Sequence, residues 1–352
     1  MATEKIKVLV VDDASFMVKA IGNILNSDPD IEVVGSAKNG LEALTKIKEL
    51  KPDIITLDVD MPIMNGITAV RHIMLECPVP IIILSSLFTN GAISFEALRL
   101  GVVDFLPKPS GAISKDIHIA KQHIIDRVKM GVSVHIDNIH RVRIEQYNEE
   151  KKLTNRYGYQ ALHHILLLGT TLGGPNTSIR IFSQLSPDLS AAAIMIQETA
   201  PRILAAFIDE FDKYATWNIK QALDGTVLEA GTCYVASNET SVRVEVNEQQ
   251  EAIIRVSDAI DNPLDELFSS AADVFEQNTT GVLLTGIGDD GSNGFKVIRE
   301  KLGTTIAQNS HTCVYPNLAQ CAIERGLVDK IVIEKELAKE IENAIRKQEK
   351  NS

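Results

Sequence analysis

Asp12 and Asp13 follow the apolar run Lys7–Val11 directly, and Asp58 follows Ile54–Leu57. If both runs are strands of one parallel sheet, their carboxyl ends share an edge and the three carboxylates converge there. Like charges a few ångströms apart raise one another's pKa, so such a cluster is costly to keep ionised without a cation. An all-oxygen site with few protein ligands suits Mg2+, which keeps several waters and shares its shell with a phosphate. Ser85 ends the apolar run Ile81–Ser85 and offers a hydroxyl; Lys108, in the stretch PKP, offers an ammonium. A carboxylate nucleophile, a metal, a hydroxyl donor and a cation are the parts of a phosphoryl-transfer site. Any one of these residues alone is more simply a solvated group at a strand end. Their recurrence at successive strand ends is what points to chemistry.

The elements that must position them follow one theme over the first 110 residues, a short apolar run and then an amphipathic stretch. Strands are expected at Lys7–Val11, Glu32–Ala37, Ile54–Leu57, Ile81–Ser85 and Asp104–Leu106, with helices at Phe16–Asn26, Gly40–Glu49, Gly66–Glu76 and Ser94–Leu100. Fully apolar runs such as Val8–Val11 suit parallel strands covered on both faces. The pattern predicts a doubly wound α/β sheet of five parallel strands.

Lys115–Met130 reads as a charged amphipathic helix, and Asn148–Tyr159 is polar and aperiodic, as a linker would be. Alternation resumes with strands expected at Ile165–Gly169, Ala192–Gln197, Gly281–Thr285 and Thr304–Ala307. Gly231–Val235, Ser241–Val246 and Glu251–Val256 read as a small antiparallel insertion. The expected organisation is a first domain over 1–125, a linker over 126–159 and a second α/β domain over 160–347.

The 352 residues are 45% hydrophobic and 23% charged, which is ordinary globular composition and enough for two domains. A net charge of -12 argues against a nucleic-acid surface. Cys77, Cys233, Cys313 and Cys321 form no C-x-x-C pair, so reduced thiols are expected rather than zinc or disulfides. The start MATEKIKVLVVDD runs straight into a strand, and no uncharged apolar run reaches membrane-spanning length. A cytoplasmic protein without membrane insertion is expected.

The stretches VLVVDDAS, PDIITLDVDMPIMNG, IIILSSL and VDFLPKP resemble the two-component receiver family. The resemblance implies that Asp58 accepts a phosphoryl group from a histidine kinase. It implies Mg2+ held by Asp12, Asp13, Asp58 and the main-chain carbonyl of Asp60, with Ser85, Phe105 and Lys108 forming the phosphate switch. It also implies a cis Lys108–Pro109 bond.

From about His163 to Val332, the stretches LLLGTTLGGP, AAIMIQETAP, DGTVLEAGTCYVASNE, VLLTGIGDDGSNG and TTIAQNSHTCV resemble the chemotaxis receptor methylesterase family, CheB. The resemblance implies a serine hydrolase that removes methyl esters or amides from glutamyl side chains of chemoreceptor cytoplasmic regions under receiver control. At the positions of its Ser-His-Asp triad stand Thr171, Glu198 and Asp290. Threonine keeps a hydroxyl but adds a methyl at a strained turn. An unperturbed Glu, near pKa ~4.3, is a poor general base beside a His near ~6.5. A carboxylate cannot accept from a nucleophile while donating to an aspartate, as imidazole does. His163 and His164 precede their strand, and nothing in the sequence places His311 at the site. VYPNLAQ at 314–320 also departs from the family's Gly-Met-Pro step. Two outputs therefore stay open: a hydrolase with Thr171 as nucleophile, or an inactive methylesterase-like domain acting as a phosphorylation-controlled binding module. Gly286–Gly291 also fits the dinucleotide pattern G-x-G-x-x-G, but Asp289 and Asp290 would meet the pyrophosphate with negative charge.

Overall fold

The computed structural model describes residues 4–85, 91–109, 116–139, 161–199 and 201–349. The chain divides into two compact units, Met1–Arg141 and Val142–Ser352. The first unit runs β1 (Ile6–Val11), α1 (Ser15–Leu25), β2 (Ile31–Ala37), α2 (Gly40–Leu50), β3 (Ile54–Leu57), α3 (Gly66–Glu76), β4 (Ile81–Ser85), α4 (Gly91–Leu100), β5 (Asp104–Pro107) and α5 (Asp116–Val132). The five strands form one parallel sheet in the order β2-β1-β3-β4-β5.

Both faces of this sheet are covered, which is why its strands are apolar throughout rather than alternating. Val8, Val10, Ile54, Ile82 and Leu84 pack against Ile21 and Leu25 of α1 and Ile124, Ile125 and Val128 of α5. Helix α5 thus continues past residue 125, with Val128 in the core of the first unit. Local signals fix the helix starts beside the site. The Asn39 side chain accepts from the Glu42 amide at 2.9 Å to open α2, and Asn65 does the same for Thr68 at 2.9 Å to open α3. Gly66 lies so close beneath the β3–α3 loop that a Cβ would stand 2.2 Å from the Asp58 carbonyl oxygen.

The second unit runs β6 (His164–Thr170), α6 (Gly174–Phe182), β7 (Ala191–Gln197), α7 (Pro201–Asp212), β8 (Asn218–Gln221), β9 (Thr232–Ser237), β10 (Thr240–Val246), β11 (Ala252–Asp258), α8 (Pro263–Phe275), β12 (Thr279–Leu283), α9 (Ser292–Glu300), β13 (Thr304–Gln308), α10 (Asn317–Glu324), β14 (Lys330–Val332) and α11 (Leu337–Glu349). Seven strands make a parallel sheet in the order β14-β13-β12-β6-β7-β9-β8, and β10 pairs with β11 as a separate antiparallel ribbon.

This corrects the expected three-stranded insertion. The segment around Gly231–Val235 forms β9, buried along its whole length between β7 and β8. Its run Cys-Tyr-Val-Ala is apolar on both faces, the pattern of an internal parallel strand, whereas β10 alternates and keeps one face wet. Strand β12 also ends at Leu283 rather than Thr285. Thr285 leaves the ladder to bond across the loops: its amide donates to Gln308 Oε1 at 3.0 Å, and its hydroxyl accepts from the Tyr315 amide at 2.9 Å.

Candidate functional sites

In the first unit the strand order brings Asp12 at the end of β1 beside Asp58 at the end of β3. The Asp58 amide donates to the Val11 carbonyl at 2.9 Å. Oxygens of Asp12, Asp13 and Asp58 lie within 4.8 Å of one another, Asp12 and Asp58 buried and Asp13 exposed. Lys108, just after β5, places its ammonium 2.7 Å from Asp12 Oδ2 and 2.8 Å from Asp58 Oδ2. The other oxygens accept main-chain amides, Ala14 to Asp12 Oδ1 at 2.9 Å and Val59 to Asp58 Oδ1 at 2.8 Å.

Burial pushes the Asp58 carboxyl above the usual aspartate range; Lys108 pulls it back and the nearby Asp12 charge adds to the rise. Burial alone would lower the Lys108 ammonium, but bonds and charge from Asp12 and Asp58 outweigh it and hold it above the usual lysine range. Two acidic oxygens turned toward one cation, with a third carboxylate within reach, fit a divalent metal in the same place. Ser85 is buried at the end of β4, and its carbonyl accepts the Lys108 amide at 3.0 Å. Phe105 is buried on β5 beside Ile83, and Asp60 lies in the exposed loop two residues past Asp58.

The second site lies along the carboxyl edge of the larger sheet. The register pairs Thr170 of β6 with Gln197 of β7, so Thr171 and Glu198 each stand one residue past the ladder on neighbouring strands. Both are half-buried. The Thr171 hydroxyl accepts the main-chain N–H of Ile287 at 2.6 Å. This close approach requires glycine at 286, where a Cβ would meet Thr171 Oγ1 at 2.5 Å. Asp290 is tied to a helix start: Oδ2 accepts the Leu264 amide and Oδ1 the Asp265 amide, each at 2.9 Å, in the first turn of α8. Burial pushes its carboxyl above the usual range, and those two amides pull it back only in part.

The CheB methylesterase model matches residues 166–341, and the response regulator receiver model matches residues 8–118. The protein-glutamate methylesterase/protein-glutamine glutaminase of Pyrococcus horikoshii is 36% identical, covering 93% of this chain and 90% of that one. The second such protein of Carboxydothermus hydrogenoformans is 36% identical over 97% of this chain and 99% of its own. That of Geobacillus kaustophilus is 36% identical over 93% and 95%. The chain belongs to the CheB methylesterase family. It is a response regulator in architecture, with a receiver unit followed by a methylesterase-type unit.

Against the CheB pattern, three expectations meet the structure. His164 opens β6 at the end of the sheet opposite the site; buried beside Thr280 Oγ1 at 2.9 Å, its pKa is lowered by burial to about 3. His311 sits exposed in the turn Ser310–Thr312, and among the described residues no histidine bonds the Thr171 hydroxyl. The departure VYPNLAQ proves to be the rim that holds the loop: Tyr315 O accepts the Gly286 amide at 2.9 Å and Asn317 Oδ1 accepts Gly288 at 2.6 Å. The expected cis Lys108–Pro109 bond is instead trans, since no peptide bond among the described residues is cis. Trans is what an X–Pro bond prefers by about 0.5–1 kcal/mol, and in it Lys108 already reaches both carboxylates. Sequence reasoning missed Ile287 and Asp265, whose contributions are a main-chain amide and a helix-start contact. Among the described residues no helix is long and apolar enough to cross a membrane.

Proposed function

We propose that the protein is a cytoplasmic, chemotaxis-type response regulator, phosphorylated on Asp58 by a histidine kinase, whose second unit binds a chemoreceptor cytoplasmic region without turning over its glutamyl groups. Mg2+, held by Asp12, Asp13, Asp58 and the Asp60 carbonyl, would neutralise charge on the phosphoryl oxygens during transfer. Asp58 Oδ2, now 2.8 Å from Lys108, is the oxygen that attacks phosphorus as the P–N bond to the kinase histidine breaks and that imidazole leaves with the electron pair. Lys108 then follows the transferred charge, and Ser85 at the end of β4 donates its hydroxyl to a phosphoryl oxygen. Ser85 and Phe105 relay the phosphorylated state.

The observation that carries the reading of the second unit is Glu198, which stands one residue past β7 at the position of the triad histidine. A nucleophile must offer a lone pair while a base removes its proton. The Thr171 oxygen accepts the Ile287 N–H and keeps a second lone pair, but a carboxylate, Glu198, stands where the base should be. The deciding experiment measures methanol release from methylated chemoreceptor membranes, with and without acetyl phosphate, beside Thr171→Ala. We expect Asp58 to be labelled, methanol release no higher than in Thr171→Ala, and co-sedimentation with the membranes that changes on phosphorylation. Release that rises with acetyl phosphate and disappears in Thr171→Ala would establish a threonine hydrolase instead.

A further inference from the structure

The loop Gly286–Gly291 is fastened at both ends. At its start the Ile287 amide is on Thr171 Oγ1 at 2.6 Å, and Gly288 is on Asn317 Oδ1 at 2.6 Å. At its end Asp290 receives the Leu264 and Asp265 amides of α8, each at 2.9 Å. Helix α8 answers in kind. Asp265 Oδ1 accepts the Gly294 amide at 2.7 Å and Oδ2 accepts Asn293 Nδ2 at 2.8 Å, both in the first turn of α9. Each aspartate thus caps the other's helix.

The first N–H groups of a helix lack internal partners and attract an anion. Neither helix satisfies them from its own cap position: Asn262 makes no side-chain cap for α8, and Gly291 has none to make for α9. The two carboxylates therefore supply from across the interface what each helix lacks. The helices are also packed through Phe268 of α8 and Phe295 of α9, stacked with centroids 5.6 Å apart. The loop that touches Thr171 runs directly into this clasp.

We propose that Asp265 is a positioning residue for this site: the reciprocal Asp265–Asp290 cap holds the loop so that the Ile287 N–H stays on the Thr171 hydroxyl. Asp265 touches neither Thr171 nor Ile287 among the bonds above; it acts through Gly294, Asn293 and Asp290. The assignment holds whether or not the site turns over, so it stands or falls separately from the inactive reading.

The test is amide hydrogen exchange on the full chain, comparing the parent with Asp265→Asn and Asp265→Ala. Asparagine keeps an oxygen for Gly294 but loses the Asn293 contact, while alanine loses both. We expect exchange at Ile287 and Gly288 to rise about tenfold in Asp265→Ala and by about threefold in Asp265→Asn, the scale of one cap lost or weakened. Amides inside β6 and β13 should keep their parent rates. Unchanged exchange at Ile287 overturns the proposal, as does a rise shared equally by β6 and β13, which is what general destabilisation gives. Should Asp265→Ala fail to fold, Asp265→Asn decides alone by the same selective rise or its absence.

Discussion

The two sites occupy the same place in two sheets, yet they hold their carboxylates differently. In the receiver unit, Asp12 and Asp58 share a side-chain ammonium, Lys108 at 2.7 and 2.8 Å. In the methylesterase-type unit, Asp290 is held by two main-chain amides of a helix start. A lysine can swing to follow a metal or a phosphoryl group by rotating a flexible stem. The amides of α8 are fixed in the backbone of its first turn and cannot follow a moving partner, so losing Asp290 would leave them unpaired. Exchangeable partners make a switch, and fixed partners make a scaffold.

The largest expected effect lies in the switch. Asp58→Asn should cut labelling by acetyl phosphate by about 10³-fold, the scale of a lost nucleophile. Quantitative labelling equal to the parent would move the phosphoacceptor to Asp12 or Asp13 and undo the assignment. Next comes an attempt to convert the scaffold. A Thr171→Ser, Glu198→His double variant supplies a hydroxyl and a base, and bases contribute about 10²–10⁴-fold. We expect methanol release to rise about 10²-fold, the low end, because the Asp290 carboxyl is tied to the α8 amides and would have to share its remaining lone pairs with the new imidazole. A gain near the upper end would mean that Asp290 leaves α8 readily, erasing the contrast.

The third test weighs the charge that the switch stores. Lys108→Met leaves Asp12 and Asp58, 1% and 4% exposed, without their shared cation. Without metal it should cost about 2 kcal/mol in a denaturant titration, less than the ~3–5 of a fully dry pair because the Lys108 side chain is 13% exposed. Added Mg2+ should recover more stability in this variant than in the parent, since it replaces the missing positive charge. An equal response in both would mean that lysine and metal do not share the site.

Much of the receiver was legible because its strands are short apolar runs ending in the candidate site residues, as in Val8–Val11 before Asp12 and Ile81–Leu84 before Ser85. Strand β9 was visible as a run but not in its pairing, because local sequence does not name a strand's neighbours. The edge strands β8, Asn-Ile-Lys-Gln, and β14, Lys-Ile-Val, are too short and polar to register as periodic. At the second site the positions of Thr171, Glu198 and Asp290 were readable from motifs. Their partners were not: Asp290 meets a helix 25–26 residues upstream, and Thr171 meets an amide 116 residues away. Backbone amides carry no residue signature, so a site built on them is silent in sequence.

The smallest effect separates the two kinds of site by pH. The Asp58 carboxyl titrates above its usual range in the folded chain, chiefly through burial, so the folded state binds its proton more readily than the unfolded state. Stability from this group is therefore fully present below the ordinary aspartate pKa of 3.8 and is lost as pH rises through the folded pKa. Without metal, the parent should lose stability relative to Asp58→Asn across that window and run parallel to it above. Asp290 is raised in the same direction and is present in both proteins, so it cancels from the difference. Saturating Mg2+ should flatten or reverse the Asp58 slope, because a bound cation favours the ionised carboxylate and draws its pKa down. A difference that is flat without metal would mean that Lys108 already compensates fully for burial. The receiver carboxylates would then be as settled as those of the scaffold.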